Sequence, residues 1–162
     1  DIYIVDEKLV FSTHNKQDEI GKFHIIDKNF KEETITKRKN AVNGGIVGNK
    51  IVYSYYDEET KSWNFAAVDV NTKKEVIAPL DKQIYYVSQV DKNRFVASRP
   101  DRGKSMFEIT NDSIIESKVD IGECNDYTIF LQSSGDAAYL NCNMNRDEHA
   151  AVFKVDFSNT GE

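Results

Sequence analysis

Residues 49–75 read N-K-I-V-Y-S-Y-Y-D-E-E-T-K-S-W-N-F-A-A-V-D-V-N-T-K-K-E. Lys50 to Tyr56 is almost continuously apolar and rich in β-branched and aromatic side chains, the composition of a strand covered on both faces. A polar turn follows, then a second such run from Asn64 to Val70. Asp69 to Glu75 then supplies turn formers ahead of a short Val76-Ile77-Ala78 segment. The stretch predicts two antiparallel strands and the start of a third.

The same order recurs along the chain. Aligning K-L-V-F-S, K-I-V-Y-S, R-F-V-A-S and A-A-Y-L-N puts Ser12, Ser54, Ser98 and Asn141 in one column, at separations of 42, 44 and 43 residues. A second column holds Ile26-Asp27, Val68-Asp69, Ile109-Thr110 and Val155-Asp156, whose second members lie 42, 41 and 46 residues apart. Two independent columns with nearly one period predict internal repetition. The repeats divide the chain at 1–43, 44–82, 83–125 and 126–162 within a single domain. Each unit reads as four antiparallel strands, a to d, in which a to c are densely apolar and d is mixed. That gradient is expected where small sheets pack face to face around an axis and the outermost strand meets water.

The expected fold class is therefore all-β, a β-propeller-type array of about four four-stranded antiparallel blades with the last blade incomplete. Asp156 to Glu162 parallels Asp69 to Glu75, so the last outer strand is missing, and Asp1 opens directly on a strand a. A fragment of a six- to eight-bladed propeller is the reading this favours, since four blades short of one strand would leave an exposed edge. A polar helix over Lys28 to Val42, or a β-sandwich or barrel, are the competing readings; neither predicts the spacing.

These residues resemble the TolB-like propeller repeats of PD40 type, whose pattern is an apolar strand ending in Ser, a turn with Asp and Gly, and an apolar strand ending in Asp before a Thr-Gly-type turn. The third unit, R-F-V-A-S-R-P-D-R-G-K-S-M-F-E-I, carries Ser98, Asp101 and Gly103 in the family's places. The second keeps Ser54, Asp57, Asp69 and Thr72 but has Glu59 where Gly is usual; the first and fourth keep the apolar spacing and the final Asp. The resemblance implies a fold whose bearers range from periplasmic binding platforms to gating domains of peptidases, and a fold does not fix a function.

Charge and motif content narrow the classes. Acidic residues exceed basic ones by 27 to 21, for a net charge of -6, which opposes nonspecific attraction to nucleic acid or an anionic membrane. The basic run Lys37-Arg38-Lys39 reads as a solvated hairpin end. No apolar run approaches the roughly 20 residues of a membrane helix. There is no G-x-S-x-G elbow, and His14, His24 and His149 are each isolated, so neither catalysis by this segment nor a metal or other cofactor is expected. Asp57-Glu58-Glu59 and Asp147-Glu148 lack the calcium-loop pattern. Cys124 and Cys142 flank one hairpin; a two-residue turn at Ser134-Gly135 would set Cys142 opposite Tyr127. A disulfide there would contribute roughly 3 kcal/mol and imply an extracellular or periplasmic setting, with two free thiols the equal alternative.

Function is then expected from the loops. In such an array the b–c and d–a loops gather on one face, where binding residues sit on a rigid scaffold. Tyr55, Tyr56, Asp57, Trp63, Arg99, Asp101, Arg102 and Arg146 are the candidate contacts, because aromatics and arginines are enriched at binding surfaces. Asp101 to Ser105 also matches part of a sialidase Asp box, a turn without catalytic content. The expected role is a noncatalytic binding module for a protein, peptide or glycan, with further blades of a parent chain or another copy as structural partners. The alternative is a propeller domain gating or supporting a peptidase or glycan-active hydrolase in a larger protein.

Overall fold

The computed structural model describes residues 2–15, 20–36, 38, 41–79, 83–98, 104–118, 129–134, 137–143 and 150–156 of the 162-residue chain. Fifteen strands in these segments form four antiparallel sheets, with no helix among the described residues. The first blade comprises β1 (Ile2–Val5), β2 (Lys8–Asn15), β3 (Ile20–Ile26) and β4 (Glu32–Thr34). The second comprises β5 (Val42–Val47), β6 (Lys50–Asp57), β7 (Ser62–Asp69) and β8 (Glu75–Ile77); the third, β9 (Tyr85–Gln89), β10 (Arg94–Ser98), β11 (Lys104–Ile109) and β12 (Ile114–Lys118). β13 (Ile129–Ser134), β14 (Ala137–Asn143) and β15 (Ala150–Asp156) make a three-stranded fourth sheet among the described residues. In every sheet, spatial order follows sequence order, so each blade is a meander.

The two sequence columns have separate structural causes. In the Ser column, Ser54 grips the connector to the next blade: its Oγ donates to the carbonyl of Ile84 at 3.1 Å and accepts from its N–H at 3.1 Å, with Ser54 and Ile84 both fully buried. A hydroxyl suits this position because it can donate and accept at once. The Asp column closes the c–d turns. Asp27 Oδ1 accepts from the N–H groups of Asn29 and Lys31, Asp69 Oδ1 from those of Asn71 and Thr72, and the Thr110 hydroxyl from those of Asp112 and Ser113. A short polar side chain satisfying backbone donors two to four residues on is what permits so tight a reversal.

Blades stack through alternate faces. Val5, Val10, Phe23, Ile25 and Ile35 of the first blade pack on Ile51, Tyr53, Tyr55, Ala66 and Val68 of the second. The opposite face of the second, Val52, Phe65, Ala67 and Val76, packs on Phe95, Ala97, Phe107, Ile109 and Ile114 of the third. Phe107 sits between Phe65 and Phe95 at centroid separations of 5.0 and 5.1 Å. The central strand β6 is therefore buried on both sides, as its continuous apolar run required. Gly44 and Gly45 let the inner strand β5 approach both neighbours: a Cβ on Gly44 would lie 2.3 Å from the Phe23 ring, and one on Gly45 2.5 Å from Val87 Cβ.

Some local expectations change. The described residues between 28 and 42 hold a turn, the strand β4 and the first residue of β5, not a helix. Inner strand β5 begins at Val42, ahead of the glycine pair, and bulges before Gly45. In the fourth sheet Ser134 pairs with Ala137, and a bulge between Phe130 and Gln132 shifts the register. This register differs from that of a two-residue turn at Ser134-Gly135, and the expected facing of Cys142 with Tyr127 does not follow from it.

Candidate functional site

At the b–c end of the second blade, β6 runs to Asp57 and β7 starts at Ser62, so the strand pairs Tyr55↔Asn64 and Asp57↔Ser62 present four side chains on the face toward the first blade. Ile77, Ala78 and Pro79, where β8 leaves the sheet, form one wall, and Arg38 of the connector from the first blade forms another. With Thr60 these residues line an open cleft of about 480 Å³. That volume falls within the roughly 300–1,000 Å³ of ordinary ligand pockets.

Arg38 is the organising group. Its Nε lies 3.3 Å from Glu75 Oε2, and its guanidinium carbon lies 5.0 Å from the centroid of the Tyr55 ring. Glu75 is 9% exposed and also accepts the hydroxyl of Tyr53. A carboxylate this deep needs hydrogen-bonding partners, and the guanidinium and phenol together supply them. Burial opposes the charge on Arg38, but Glu75 outweighs it and holds the guanidinium pKa above its usual value. Burial first, and then the Glu75 charge, push the Tyr53 phenol far up; burial also raises Tyr55 despite the opposing field of Arg38. Both tyrosines therefore stay protonated at neutral pH.

Asp57 Oδ1 accepts from the N–H groups of Glu59 and Thr60, which shapes the b–c loop, while Thr60 and Ser62 hydroxyls stand 2.8 Å apart. Four expected contacts belong to this end of the second blade, yet the pleat separates them. Tyr55 and Asp57 line the cleft. Tyr56 and Trp63 form an edge-to-face pair, centroids 5.6 Å apart, on the opposite face. Arg99, Asp101, Arg102 and Arg146 lie outside the described residues, as does Cys124 and with it any pairing to Cys142. No cluster of three His, Cys, Asp or Glu suited to a metal ion occurs among the described residues.

Sequence reasoning missed Arg38, Glu75 and Asn64. Arg38 stands in a Lys-Arg-Lys run that reads as solvated surface, and its counter-ion is 37 residues away in a mixed outer strand. Only the fold brings them together.

No family model matches the chain, and no curated protein matches it. Among solved structures it is similar to the β-propeller domain of the Trilobed protease from Pyrococcus furiosus, with a TM-score of 0.59 at 13% identity over 98% of this chain and 55% of that one. The fold is a β-propeller. A second similar structure is the tricorn protease, with a TM-score of 0.52 at 15% identity, covering 86% of this chain and 15% of that one. This propeller chain thus spans about half the length of the first of these structures. At such identities the likeness concerns the fold, and it does not single out the TolB-like type among propellers.

Proposed function

We propose that this chain is part of a noncatalytic propeller of TolB-like repeat type, whose b–c loop face binds a protein or peptide, and that the Arg38 cleft is a point of contact. The carrying observation is the guanidinium held between a buried carboxylate and a tyrosine ring on a cleft wall. An arginine fixed in this way loses little rotamer freedom on binding, and arginine and tyrosine are the residues that most often dominate interface energetics. The surroundings fit a peptide: Ser62, Thr60 and Asn64 offer hydrogen-bonding groups to a main chain, and Ile77 and Pro79 an apolar wall.

The test uses random nonapeptides displayed on phage and selected on the 162-residue chain, with affinities of the enriched peptides then measured by calorimetry. Thr60→Trp, which fills the cleft from an exposed turn, is expected to weaken them at least about tenfold. Selected peptides that bind Thr60→Trp unchanged would place recognition elsewhere.

A second reading, that the propeller gates or supports a hydrolase in a larger protein, is favoured by the similarity to propellers of proteases. It predicts that the chain has no turnover alone and lowers the activity of its adjoining hydrolase toward folded substrates, while short peptides are cleaved as before. A hydrolase indifferent to removal of the propeller counts against it.

A further inference from the structure

The first blade has a face that no described residue of another blade covers. Its row Ile4-Leu9-Ile26-Glu32 runs across β1 to β4 in strict register, and beside it runs Ile2-Phe11-His24-Thr34. Ile2 is 73% and Ile4 80% exposed, although strands seldom leave such side chains in water. The second blade repeats the first row as Ile46-Ile51-Val68-Glu75, again in register. There Ile51 and Val68 are buried under the first blade, and Ile46 packs against the same cluster. Position for position, the open face is one that elsewhere in this molecule forms a blade interface.

The glutamates sharpen the comparison. Glu75 is closed over and paired with Arg38, a cation carried by the connector that leaves the covering blade. Glu32 occupies the same place in its row but is 57% exposed and, among the described residues, reaches His24, whose Nδ1 lies 3.3 Å away. His24 is further held by the hydroxyls of Thr13 and Thr34 and stacks on Phe11.

None of the first three blades has a complementary face to spare, and the side chains of the fourth sheet lie outside the described residues. The complementary face is already used by the first blade under the second and by the second under the third; on the third, its residues Val96 and Met106 are buried. We infer that the open face is a docking surface for one further propeller blade, the one preceding the first in a longer ring. The connector of that blade places a cation against Glu32, as Arg38 is placed against Glu75. The neighbouring propeller of which this chain covers 55% has room for such a blade. A second copy of the chain is the competing occupant.

The experiment exploits the repeat. A copy of residues 1–42 is fused ahead of Asp1, which puts a complementary blade face and its own Arg38 in the expected place. Ile4→Cys is introduced in the 162-residue segment only, and the alkylation rate of that thiol is followed by peptide mapping, with and without the added blade. The rate is expected to fall at least about tenfold on fusion, the melting midpoint to rise, and Arg38→Ala in the added blade to return part of the reactivity. An unchanged rate, or a midpoint no higher than that of the chain alone, overturns the inference. So does slowing of the reaction in the unfused chain as concentration rises with dimer formation by ultracentrifugation, which would make a second copy the occupant.

Discussion

Ser54 shows how much one hydroxyl can hold. Its Oγ satisfies both main-chain groups of Ile84 in a fully buried place, so Ser54→Ala leaves a donor and an acceptor without partners. The expected cost is about 1–3 kcal/mol, read as a shift in the urea unfolding midpoint at constant slope. A shift within error of zero would mean that Ile84 finds other partners. Asp69 makes a prediction in pH. Burial would raise its pKa, but N–H donors from Thr72 and Asn71 and the Asn49 amide outweigh burial and hold it below the ordinary carboxylate value. A carboxylate depressed in the folded state stabilises above its unfolded pKa and loses that contribution as pH falls through the folded one. Stability should therefore decline from the ordinary carboxylate range near 3.8 downward. Asp69→Asn should lower stability at neutral pH and flatten the acid limb of a denaturant titration; parallel limbs would argue against it.

Within a blade, the strand pattern was legible in the sequence because each central strand is apolar on both faces and the turns carry Asp or Thr at fixed places. β6 and β7 lie where their composition put them. The inner and outer strands were less legible for physical reasons. β5 starts at Val42 because Gly44 and Gly45, which look like a turn, instead keep the strand thin between Phe23 and Val87. β4 spans only three residues and is exposed throughout, so no apolar signal marks it. Gly45→Val should then be far worse than its high β-propensity suggests, since its Cβ alone would sit 2.5 Å from Val87. Overpacking of this kind costs about 1–3 kcal/mol or more, and a Gly45→Val chain as stable as the parent by thermal denaturation would show that the inner strands can part.

For the molecule as a whole, stability is expected to follow the stacking of blades, each contacting mainly its neighbours. Phe107 bridges two of them, so Phe107→Ala is expected to remove about 3–5 kcal/mol. Hydrogen exchange should show the protection lost in β7 and β10 together, and a loss confined to the third blade would contradict the shared core. The same stacking explains why the candidate site was only half readable. Tyr55 and Asp57 could be found from their place after a strand, whereas Arg38 and Glu75 acquire meaning only where two blades meet. Tyr56 and Trp63 were sorted away from the cleft by the two-residue alternation of the strand.

The grip of Ser54 on Ile84 reaches 30 residues forward in the chain. A ribosome would finish the second sheet before making the residue that fastens it, so during synthesis that sheet waits, unlatched, for the opening of the third. A released chain ending just before Ile84 should accordingly be cut by protease within the second sheet, and one extended a few residues beyond it should resist.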